Sequence, residues 1–170
     1  MADSYALWSD HIEDLTDPEI AWLRAFLLKY DPTADENDEN HIACDYEAMA
    51  AEMNGRIPDL VTEDELEENW YSTWETFHLY EDRKELAYYD EQGGACLDTV
   101  VSFLRYFLAI FRPNAVLTLE WAFTCSRPIC GEFGGGVAVF SSRTVEWLNT
   151  GSLGEDKKRT MEKEMADASL

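Results

Sequence analysis

Between Val116 and Cys125 the large apolar residues Leu117, Leu119, Trp121 and Phe123 fall on every second position, with Thr118, Glu120, Ala122 and Thr124 between them. A period of two belongs to a strand with one buried face, and no helix can use it. The next eleven residues, Ser126 to Gly136, combine Pro128 with four glycines, a composition suited to a tight turn. Val137 to Ser142 then reads as a returning strand. Thr144 to Leu148 reads as a third, with Val145 and Trp147 on one side. Residues 115–148 therefore predict an antiparallel meander, a scaffold in which no catalytic group is evident.

The remaining segments supply partners for that scaffold. Asp17-Pro18-Glu19 predicts a helix start with Asp17 as the cap, running to about Tyr30, with Ile20, Leu23, Leu27 and Tyr30 inward and Trp22 and Phe26 widening the stripe. His41 to Ala48 alternates Ile42, Cys44 and Tyr46 with acids and predicts a strand. Thr62 and Glu65 have the spacing of a capping box, so a helix is expected to begin there with Leu66 and Trp70 in the core. Phe77 to Tyr89 predicts a hairpin turning at Glu81 to Lys84, with His78 on the surface. Leu97 to Phe111 is apolar nearly all round, the mark of a helix buried on most sides. The expected fold is α+β: a mainly antiparallel sheet of five to six strands with two packed helices, 18–30 and 97–111. Residues 1–152 form a single acidic domain in this reading, and 153–170 a polar tail, helical or disordered.

Charge narrows the class of function. Of 170 residues, 35 are acidic and 13 are Lys or Arg, for a formal charge of -22, yet six Trp and 46% hydrophobic content give ample material for a core. The imbalance is local: residues 1–100 hold 27 acids and 5 bases, residues 101–170 eight of each. Salt adaptation would spread acidity over the whole surface, so this distribution points to an acidic face on particular elements. No apolar run approaches the about 18 residues that span a bilayer, and no basic-apolar leader is present; the expectation is a cytosolic protein. Cys44, Cys96, Cys125 and Cys130 are then expected as free thiols.

Catalytic and metal chemistries find little support. The acidic run 31–40 alternates Asp and Asn as a calcium loop does, but lacks glycine at the sixth place and glutamate at the twelfth. Cys125 and Cys130 with His41 and Cys44 would make four zinc ligands, at spacings that match no familiar knuckle. The glycine-rich turn lacks the strand-to-helix context of a phosphate loop. His11, His41 and His78 lie far in sequence from both meander cysteines, so no nucleophile and base pair up. The expectation is a non-enzymatic protein with no cofactor and no metal.

The segment Trp121 to Pro128, WAFTCSRP, followed by Gly131 to Gly136, GEFGGG, resembles a group of short, uncharacterised acidic proteins carried by phages and plasmids. The resemblance covers about residues 97 to 148, brings no activity with it, and implies a mobile-element setting. By size and charge alone the chain also resembles anti-restriction and anti-CRISPR inhibitors, some of which mimic DNA.

Nucleic-acid sites on proteins are positive grooves, and a rigid array of carboxylates can enter them in place of phosphates. The expected contacts are Asp35, Glu36, Asp38 and Glu39 of the acidic run and Glu63, Asp64, Glu67 and Glu68 of the capped helix, with Tyr46, Tyr71, Tyr80, Tyr88 and Tyr89 interspersed. The expected partner is a host nucleic-acid-binding protein or nuclease complex, without direct nucleic-acid binding and without membrane attachment. The alternative is an assembly protein with an apolar interface, its acidity serving solubility.

Overall fold

The first strand of the chain lies in the middle of the sheet. In a computed structural model, which describes residues 4–33, 44–91, 93–125, 134–151, 153, 158 and 159, β1 (Ser4–Ile12) pairs antiparallel with β3 (Glu85–Asp90) on one side and β4 (Val116–Cys125) on the other. Strand β2 (Phe77–Tyr80) closes the β3 edge; β5 (Gly134–Ser141) and β6 (Val145–Asn149) extend from β4. The six strands run in the order β2-β3-β1-β4-β5-β6. This is the expected α+β architecture, with the meander and the 77–90 hairpin where the alternation put them.

Two elements differ from the sequence reading. Strand β1 carries the weak alternation of Ala6, Trp8 and Ile12, broken because Asp10 shares their face opposite Tyr88. The segment expected to be a strand at 41–48 is, in its described part, the approach to helix α2 (Tyr46–Asn54). Its cause is local: the Asp45 side chain accepts the Ala48 N–H at 2.8 Å, a cap that commits the chain to a helix, and Met49, Ala50 and Met53 then share one buried face. The strand count thus agrees with expectation although one member was exchanged for another.

The four helices between residues 17 and 111 share one core with one face of the sheet. The register puts Phe77, Leu86, Tyr88, Trp8, Ile12, Leu119, Ala138 and Phe140 on that face, and all are buried. Helix α1 (Asp17–Lys29) is capped by Thr16, not Asp17 as the sequence suggested: the Thr16 hydroxyl takes the Glu19 N–H while the Glu19 carboxylate takes the Thr16 N–H at 2.7 Å. Helix α4 (Leu97–Phe111) is the central post. Its Phe103 ring sits 4.6 Å from Phe77, 5.4 Å from Phe26 and 5.8 Å from Trp70, tying sheet, α1 and α3 (Glu63–Trp74) together. Burying each such ring contributes about 2 to 3 kcal/mol.

The glycines of β5 have a packing role. Trp121 of β4 lies opposite Gly136 and reaches across it to Trp147 of β6, the rings meeting edge-on at 5.5 Å. A Cβ at Gly136 would overlap the Trp121 ring, so only glycine lets the indole cross the strand. The turn residues 126–133 lie outside the described residues.

Candidate acidic interface

Helix α3 starts at the expected capping box: Glu65 donates its N–H to the Thr62 hydroxyl, and the Glu65 carboxylate accepts the Thr62 N–H at 2.7 Å. Leu66, Trp70 and Thr73 fill its inward face. Two indoles fix it to α1, with Trp70 Nε1 donating to the Tyr30 carbonyl at 2.7 Å and Trp74 Nε1 to the Leu27 carbonyl at 3.0 Å. The helix is therefore held along its length by groups that cannot rotate away.

The opposite face carries the predicted carboxylates. Glu63, Asp64, Glu67 and Glu68 are all exposed, and at 3.6 residues per turn Asp64, Glu68, Tyr71 and Glu75 stand in one row, with Glu67 beside it. The row spans about 16 Å of helix axis at 1.5 Å per residue. Tyr71 is 51% exposed and offers a ring among the acids. Glu75 was missed by sequence reasoning, although the spacing of four, three and four residues from Asp64 is legible once the helix is drawn through to Trp74.

No described cation neutralises this row. Among the described residues, Arg24 pairs with Glu81, Lys84 with Asp17 at 2.8 Å, Lys29 with Glu52 at 2.7 Å and Arg112 with Glu19 at 2.6 Å. None of Glu63, Asp64, Glu67, Glu68 and Glu75 forms an ion pair with a described residue. Like charges three and four residues apart disfavour an isolated helix; here the inward packing of Leu66 and Trp70 offsets them.

The other predicted positions divide. Asp35, Glu36, Asp38 and Glu39 lie outside the described residues, as do His41 and Cys130. Tyr88 is not a surface residue: it is 1% exposed, and burial pushes its phenol far above the ordinary range. Tyr80 and Tyr89 belong to the sheet, where Tyr89 stacks on the half-buried His78 ring at 4.4 Å. Of the five tyrosines Tyr71 stands in the acidic row, and the partly buried Tyr46 lies near it: burial, Cys44 and the Glu67 carboxylate raise its phenol above the ordinary value. The Cys44 thiol is half-buried against the Tyr30 carbonyl at 3.7 Å, and burial raises its pKa to about 11, which disfavours the thiolate that a metal needs. No group of three or more metal-binding side chains occurs among the described residues. No described helix is long and apolar enough to cross a membrane.

No protein-family model matches this chain, and no curated protein or solved structure is significantly similar to it.

Proposed function

We propose that this protein is an anti-defence inhibitor of a phage or plasmid, acting in the host cytosol without enzymatic activity. It occupies the basic nucleic-acid groove of a host defence complex, of the anti-CRISPR or anti-restriction type, through an acidic surface that stands in for DNA. The supporting observation is the carboxylate row Asp64, Glu67, Glu68 and Glu75, which pairs with no described cation, on a helix braced by Trp70 and Trp74. Fixed anions match a groove built for phosphates, and the same charge repels nucleic acid itself. Asp35, Glu36, Asp38, Glu39 and Glu63 remain further proposed contacts.

A tagged pull-down from host lysate at low and high salt tests the reading. Retention of a nucleic-acid-binding complex at low salt only, with release by added DNA or RNA, is the expected result. A salt-resistant partner would overturn it in favour of an apolar assembly surface. That second reading has its own observation: Phe123 and Trp147, at 43% and 37% exposure, leave aromatic surface open at the β4–β6 corner.

A further inference from the structure

Arg105 is a half-buried cation that no described acid meets, in a chain where acids outnumber bases nearly three to one. Its Nε donates to the Ser141 carbonyl at 3.2 Å, and it forms no ion pair and no other hydrogen bond with a described residue. Arg56 and Arg143 also lack a carboxylate, but both are exposed and can be solvated by water. Burial lowers the pKa of Arg105. A guanidinium withdrawn from water retains its charge and leaves strong donors unused.

Arg105 also lines a cavity of about 320 Å³ between α3, α4 and β6. Helical spacing puts Asp98, Ser102 and Arg105 on the α4 face that lines it, and Val101, Val145 and Trp147 supply apolar wall. Its size is at the low end of the about 300 to 1,000 Å³ of small-molecule sites. Glu65 and Asp98 also line it, so a second negative charge on a ligand would be opposed. The Glu65 carboxylate is already engaged with the Thr62 N–H and hydroxyl at 2.7 and 2.9 Å, and Asp98 lies two turns, about 10 Å of helix axis, from Arg105, so an anion is received at the Arg105 end of the cavity.

We propose that this cavity binds a small monocarboxylate with an apolar body, its carboxylate on the Arg105 guanidinium and its body against Val101, Val145 and Trp147. The site lies on the flank of α3 away from Glu67 and Tyr71 and does not depend on the acidic interface.

Benzoate titrated into the ¹⁵N-labelled full chain is the test, read at the Trp147 indole and Arg105 Nε resonances. A saturable shift with a Kd of about 1 mM or tighter is expected. Benzyl alcohol, of the same shape without the charge, should bind at least about tenfold more weakly. R105Q should lose about tenfold in benzoate affinity at an unchanged melting temperature, and R105K should recover part of it. Failure of benzoate to saturate, equal binding of benzyl alcohol, or an unaffected R105Q would each overturn the site. Phosphate binding as well as benzoate would overturn the monocarboxylate class. Should R105Q fail to fold, the comparison of benzoate with benzyl alcohol on the native chain decides alone.

Discussion

Glu19 and Glu68 are glutamates in the outer helical layer, and the molecule treats them in opposite ways. Glu19 is 3% exposed; Arg112 from the end of α4 grips it at 2.6 and 3.2 Å, and Thr16 donates both its N–H and its hydroxyl. The same guanidinium reaches the carbonyls of Glu13 and Asp14, locking the β1–α1 link to α4. Burial pushes the Glu19 carboxyl up, but the bonds from Arg112 and Thr16 outweigh it and hold the carboxyl below its ordinary value. Glu68 stands on the outer face of α3, exposed and without an ion pair to any described residue. Charge at the first region maintains the fold, whereas charge at the second only burdens its helix, which is what a surface kept for a partner would show.

Removing Arg112 should separate the two regions most sharply. R112M leaves a buried carboxylate without its counter-ion, and urea unfolding should register a loss of about 3 kcal/mol. A loss below about 0.5 kcal/mol would show that Glu19 is solvated and the contrast false. Trp70→Phe comes next: it deletes the donor to the Tyr30 carbonyl and should cost about 2 kcal/mol by the same measurement. It should also weaken capture of the proposed partner, because the acidic row loses its brace.

Replacing Glu67, Glu68 and Glu75 by Lys in one variant should alter stability by no more than about 0.5 kcal/mol and abolish low-salt partner capture. Asp64 is left in place there because it lies in the first turn, where a negative charge favours the helix. Capture that survives the triple reversal would remove α3 from the interface.

The smallest effect is a pH signature. The Glu19 carboxyl is held below its ordinary 4.5, so the stability it contributes is complete above that pH and is lost as the pH falls through the lowered folded value. The stability difference between the native chain and E19Q should therefore narrow between about pH 6 and pH 3. A constant difference would mean that Glu19 acts through packing alone. Glu52 titrates in the same direction, since burial raises it but Lys29, Tyr30 and Tyr106 bring it below the ordinary value, and E19Q leaves that contribution intact.

What could be read from the residues followed from how local each cause is. The α3 cap, the α4 stripe and the β4–β6 meander depend on neighbours within one element, and the pattern expresses them directly. Strand β1 escaped notice because Asp10 interrupts its inward face, opposite Tyr88, which lies 78 positions later. Cys44 and Tyr46 alternate like strand residues, but the Asp45 cap overrides two positions of pattern. The acidic row was half legible: the capped helix announced Glu63 to Glu68, whereas the place of Tyr71 among them and the burial of Tyr88 needed the fold. Nothing in the sequence marked Arg105, since its isolation comes from α3 and β6 closing round α4.

The position of β1 also sets an order of events during synthesis. Its partners β3 and β4 leave the ribosome about 80 and about 115 residues later, while β2–β3 and β4–β6 can pair as soon as they are made. The first strand must wait unpaired until β3 has been made, and its second edge until β4 follows; long-range pairing of this kind slows folding toward the millisecond-to-second range. Throughout that wait the emerged chain is also strongly acidic, and mutual repulsion among nascent chains works against the aggregation that an unpaired Trp8 strand would otherwise invite.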